Sequence, residues 1–179
     1  NGIEYDKFQN SNTLSKIEYS KKFINQDCEP NKIIVSMGRL QKKKGFDILL
    51  KAFAVLYKEK PEVKLILGGN GPEIENLQKL AKILNIEEAV TFAGALPREN
   101  VRLLMAESAC FVLSSHVETF GVVVIEALSQ GTPVVATKCG GPESIIVSGD
   151  GILVEVADVN ALAQAMKEAT KLEREESAK

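Results

Sequence analysis

Glu118 and Glu126 stand eight residues apart across a Phe120-Gly121 turn, one carboxylate in a loop and the other inside the element that follows. If a helix begins near Gly121, its free N–H groups form an anion site. Glu126 then lies a little over one turn inside, within reach of hydroxyls beside a bound phosphate. Glu118 would face the other end of the same ligand, and a general acid–base pair is the other chemistry open to two such carboxylates. A second charged group is Arg39 with Lys44, directly after a β-branched run, where a guanidinium and an ammonium can grip a diphosphate. Lys42 and Lys43, in the same basic run, read as a solvated face.

Other motifs narrow the chemistry. Gly69-Asn70-Gly71 begins like a dinucleotide fingerprint, but Ile74 stands where the third glycine belongs, and the turn follows the second strand rather than the first. This argues against a dinucleotide cofactor. The turn serves either phosphate contact or close approach of another loop. No glycine-rich loop ends in Gly-Lys-Ser or Gly-Lys-Thr, so a P-loop is excluded. His116, the single histidine, forms His-x-Glu with Glu118, yet the Pro-Cys-x-x-Cys partner of a zinc deaminase is missing and His116 reads as loop packing. With one histidine and no close Asp-x-Asp pair, a metal site has little to be built from. Gly140-Gly141 before Glu143 reads as a helix cap, with ligand contact as the alternative.

These residues need a scaffold. Apolar periodicity predicts strands over 32–37, 63–68, 89–93, 109–113, 132–136 and 152–154. They alternate with helices over 46–56, 74–84, 99–106, 121–130, a stretch near Glu143, and 159–170. Residues 122–125 have strand-like β-branched composition. The pattern through Gln130 and the stop at Gly131 favour helix, with burial overriding propensity. Six strand–helix alternations imply a three-layer α/β/α Rossmann-like domain with a parallel sheet of about six strands. Ligands gather at the carboxyl ends of such strands, where Arg39, the Gly69–Gly71 turn, Gly94 and Ser114-Ser115 fall. Residues 1–31 read as a lead-in with a weak helical pattern over 14–23, 32–170 as the domain, and 171–179 as a charged tail.

Composition sets the outer limits. The chain has 179 residues, 45% hydrophobic and 26% charged, and a net charge of -2, which gives no electrostatic case for nucleic acid or a membrane surface. Three widely spaced cysteines do not make a disulfide framework and fit a reducing cytoplasm. No window reaches the roughly 18 to 20 apolar residues of a membrane span.

The motifs coincide in order with a known family: Gly38-Arg39 with Lys44-Gly45, Gly69-x-Gly71-Pro72, Phe92-x-Gly94, Glu118 with Glu126, and Gly140-Gly141-x-Glu143. Over residues 32–170 the chain resembles the donor-binding half of a glycosyltransferase family 4 enzyme of GT-B fold, and residues 1–8 resemble that family's interdomain segment. The resemblance implies that Arg39 and Lys44 hold the donor diphosphate with backbone N–H groups of Phe120, Gly121 and Val122. It implies that Glu126 binds the ribose and that Glu118, the catalytic-site carboxylate, positions the donor sugar. The backbone of Gly94 to Leu96 would meet the nucleobase. The donor would be a UDP-, GDP- or ADP-sugar, used without a metal and with retention, in transfer of a hexosyl group. The partner would be an acceptor domain ahead of Asn1, through which peripheral membrane contact at the inner face would occur. The alternatives are a GT-B epimerase, a phosphorylase or a noncatalytic nucleotide-sugar-binding module. Ser114 and Glu4 depart from the family's usual proline and aspartate.

Overall fold

The computed structural model describes Phe23 and residues 28–172. The interdomain-like segment 1–8, most of the helical pattern over 14–23 and the tail from residue 173 lie outside the described residues. Six strands, β1 (Ile33–Met37), β2 (Lys64–Gly68), β3 (Val90–Gly94), β4 (Cys110–Leu113), β5 (Val134–Thr137) and β6 (Gly151–Val154), alternate with helices. These helices are α1 (Phe46–Glu59), α2 (Ile74–Ile83), α3 (Arg98–Glu107), α4 (Val122–Ser129), α5 (Gly141–Ile145) and α6 (Val159–Ala169).

The sheet runs β3-β2-β1-β4-β5-β6, and every pairing is parallel. Alternate residues of each strand feed opposite layers. Ile34, Leu65, Cys110 and Val135 pack beneath α1, α2 and α6, while Val35, Ile66, Phe111 and Val134 pack beneath α3 and α4. Helix α1 buries Leu49, Leu50, Phe53 and Leu56, each contributing about 1.5–3 kcal/mol from removal of apolar surface.

Residues 122–129 are helical, as the Gly131 stop suggests, but burial on α4 is narrower than expected. Val124 and Ala127 are buried, whereas Val122 and Ile125 are 55% and 51% exposed. Half-buried Val123 and Leu128 pack beside Val124 and Ala127 and complete the docking of the helix against the sheet.

The strand order reverses between β1 and β4. Crossovers leave β1 toward β2 and β3 on one side and reach β5 and β6 on the other, so a crevice opens at the carboxyl ends of β1 and β4. Gly38-Arg39 and Ser114-Ser115 stand at those ends.

Candidate functional site

Lys44 is carried into this crevice by a single 3-10 turn, Lys42–Lys44. The turn is pinned to the end of β4 twice: the Ser114 hydroxyl donates to the Lys44 carbonyl (3.1 Å), and the His116 N–H donates to that of Lys43 (2.8 Å). Of the three lysines, Lys44 is thereby turned inward, and its Nζ meets Glu118 Oε2 at 2.6 Å. The side chains are only 21% and 18% exposed. His116 is half-buried and lines a small cleft with Gln41 and Phe46.

Glu118 accepts more than Lys44. Burial pushes its carboxyl pKa up, but the hydrogen bond and charge of Lys44, with N–H groups of Gly121 and Phe120, outweigh it and hold the carboxyl below its ordinary value. Two of the backbone donors expected to face a diphosphate are therefore aimed at the Glu118 carboxylate.

The Glu118 loop is fixed from its other side. Its N–H donates to the Cys139 carbonyl (3.0 Å), and its carbonyl accepts from Gly141 N–H (2.6 Å), forming an isolated parallel bridge to Gly140. A Cβ on Gly141 would lie 2.8 Å from the Phe120 carbonyl carbon and 2.9 Å from Gly121 N, which is why no side chain is tolerated there. Glu143 Oε2 accepts from Gly140 N–H at 2.5 Å and caps α5. The Gly140-Gly141 pair thus both caps a helix and admits the Glu118 loop.

Arg39 lies in a neighbouring cleft of about 370 Å³ with Gly38, Gly69, Asn70, Leu96 and Val101. The Gly69–Gly71 turn permits close approach of a loop: Leu40 N–H donates to Asn70 O (2.9 Å), and backbone atoms of Leu40 fill the space a side chain on Gly71 would need. This interlock sets the backbone that carries Arg39, whose side chain has no ion-pair partner among the described residues. Leu96 is half-buried in the same cleft.

Glu126 is on α4, four residues past Val122, and is 17% exposed. Its Oε1 receives both Nη2 and Nε of Arg98, at 2.7 and 2.8 Å. Arg98 opens α3 two residues after Leu96. Sequence reading missed it, because an exposed arginine 28 residues from its partner carries no local signal. Phe120 and Val122, at the entrance to α4, are 75% and 55% exposed.

Among the described residues no three His, Cys, Asp or Glu side chains are grouped to hold a metal ion, and no helix is long and apolar enough to cross a membrane. Cys28, Cys110 and Cys139 are free thiols, and burial pushes that of Cys110 up to about 12.

The family model described as "Glycosyl transferases group 1" matches residues 19–179. The lipopolysaccharide core biosynthesis glycosyltransferase LpsE of Rhizobium meliloti is 39% identical over 137 residues, which cover 76% of this chain and 38% of that protein. N-acetyl-alpha-D-glucosaminyl L-malate synthase of Bacillus anthracis is 38% identical over 136 residues, 75% of this chain and 35% of that one. Among solved structures, Anabaena HepE in complex with UDP and glucose superposes with a TM-score of 0.77 at 28% identity, over 86% of this chain and 42% of HepE. The chain therefore spans well under half the length of the relatives it matches.

Proposed function

This chain belongs to the group 1 glycosyl transferases, and from that premise we propose that residues 32–170 form the donor-binding half of a family 4 enzyme of GT-B fold, one that transfers a hexosyl group with retention and without a metal. The observation that carries the reading is the meeting of Lys44 with Glu118, Phe120 and Gly121 at the sheet's switch point. Breaking a nucleotide-sugar bond leaves negative charge on the diphosphate. Arg39, Lys44 and the N–H groups opening α4, those of Phe120, Gly121 and Val122, are the groups to stabilise it. Glu126 accepts from the ribose hydroxyls, the Gly94–Leu96 backbone faces the base, and Glu118 positions the sugar.

A UDP-sugar is the leading donor, supported by the UDP and UDP-glucose complexes of HepE. The acceptor belongs to an N-terminal domain of the whole enzyme, in keeping with relatives more than twice as long as the matched segment. That domain is also where a peripheral membrane contact would be made, and the cytoplasm is the proposed compartment.

Calorimetry of the chain with UDP, GDP and ADP, each with and without magnesium, tests the reading. Binding of at least one, unchanged by magnesium, is expected. Binding of none, or only with magnesium, refutes it.

A further inference from the structure

Arg98 touches nothing assigned to the diphosphate, yet it is the only described side chain that grips the Glu126 carboxylate. The grip is asymmetric. Both guanidinium contacts fall on Oε1, and Oε2 accepts no hydrogen bond from the described residues. A fork closed on one oxygen fixes the carboxylate plane and leaves the second oxygen to accept from a ligand. Arg98 is 68% exposed against 17% for Glu126. Such an exposed arginine contributes little to folding stability, so its purpose is better sought in what it does to Glu126.

Its location adds a second role. Arg98 begins α3 two residues beyond Leu96, which lines the Arg39 cleft, whereas Glu126 lies on α4. The ion pair ties the loop on the nucleobase side to the helix on the ribose side. It also offsets a carboxylate charge that would otherwise repel an incoming diphosphate.

We propose that Arg98 is a positioning residue for nucleoside recognition: it holds Glu126 with Oε2 presented to the ribose hydroxyls and couples the Leu96 loop to that contact. This rests on the ribose role given to Glu126 above, and the test separates the two.

The test titrates the 179-residue chain with whichever of UDP, GDP and ADP binds tightest, with its 2′,3′-dideoxy analogue, and with inorganic pyrophosphate. The proteins are wild type, Glu126→Gln, Arg98→Met, Arg98→Lys and the Arg98→Met/Glu126→Gln double variant. Wild type is expected to favour the ribonucleotide by about tenfold or more, the size of a hydrogen bond to a charged group. Glu126→Gln should reduce that preference to about twofold, and Arg98→Met should do the same with pyrophosphate affinity unchanged. Arg98→Lys, which keeps the charge but not the fork, should recover only part of the preference. The double variant should be no worse than Glu126→Gln, since the two act as a unit.

Absence of a ribose preference in wild type, or its persistence in Glu126→Gln, sinks the ribose reading itself. Loss in Glu126→Gln but persistence in Arg98→Met overturns the positioning role alone. Equal weakening of nucleotide and pyrophosphate by Arg98→Met overturns it as well, by marking general damage to the site.

Discussion

Replacing Glu118 with Gln separates the donor-site geometry from a merely structural ion pair, because the two make opposite predictions for affinity. Glu118 takes Lys44 Nζ at 2.6 Å together with N–H groups of Phe120 and Gly121. A diphosphate using those donors competes with this carboxylate and is also repelled by it. With a phosphoryl charge about 6 Å from the carboxylate and an effective dielectric constant of about 40 for this partly exposed pair, the repulsion is about 1.4 kcal/mol, or tenfold in affinity. Glu118→Gln should therefore bind pyrophosphate and nucleoside diphosphate about tenfold more tightly. It should at the same time lose about 1–2 kcal/mol of folding stability, as a charge-assisted hydrogen bond becomes a neutral one. Isothermal titration with pyrophosphate and urea unfolding read the two quantities. In the full-length enzyme the same variant should lose turnover despite tighter product binding. Weaker or unchanged pyrophosphate affinity in Glu118→Gln would refute the shared-donor reasoning and leave Lys44–Glu118 as a strut.

The carboxyl of Glu118 is held below its ordinary value, so its contribution to stability is fully present above the unfolded carboxylate range, about pH 4.3, and is lost as pH falls through the lowered folded value. Thermal melts from pH 7 downward should show the gap between wild type and Glu118→Gln constant until that range and closing below it; a gap that widens in acid contradicts the pairing. Gly141→Ala places a methyl 2.8 Å from the Phe120 carbonyl carbon. It is expected to cost about 1–3 kcal/mol of stability and to weaken pyrophosphate binding by moving the Phe120 and Gly121 donors, and unchanged values for both would remove the loop clamp from the site.

Periodicity carried most of the fold, since a parallel sheet covered on both faces makes every strand a short apolar run and every helix a one-sided stripe. Residues 122–129 show where it worked for an incomplete reason: the helix forms with only Val124 and Ala127 buried, and half-exposed Val122 and Ile125 gain little from burial. In the site, Lys44 was set apart from Lys42 and Lys43 by its sequence position, but what turns it inward, the pins from Ser114 and His116, are contacts across about 70 residues that composition cannot register. Gly140-Gly141 was legible as a cap through Glu143, but its second purpose depends on the Glu118 backbone, 22 residues before Gly140. Arg98 was invisible for the same reason. What local pattern cannot show is which distant group an exposed charge has been folded against.

On the proposed reading an acidic chain has to bind a diphosphate. The net charge of -2 offers no long-range attraction, and two of the cations near the crevice are already matched, Lys44 by Glu118 and Arg98 by Glu126. Matching keeps each cation rigid and its carboxylate from repelling an anion at full strength, so on the proposed reading affinity would come from exchange of partners rather than from stored positive charge. Arg39 differs, because its exposed guanidinium has no ion-pair partner among the described residues and sits in a cleft beside a backbone locked by Asn70 and Gly71. On the proposed reading it would take a phosphate without first releasing a carboxylate. On the donor-site reading proposed above, recognition would proceed from Arg39 inward, with the Lys44 exchange admitting the diphosphate only as Glu118 is freed to turn toward the sugar. In that reading a nucleotide sugar gives the displaced carboxylate new hydroxyls to accept from, whereas a bare diphosphate does not, so the pairing itself would favour donor over product.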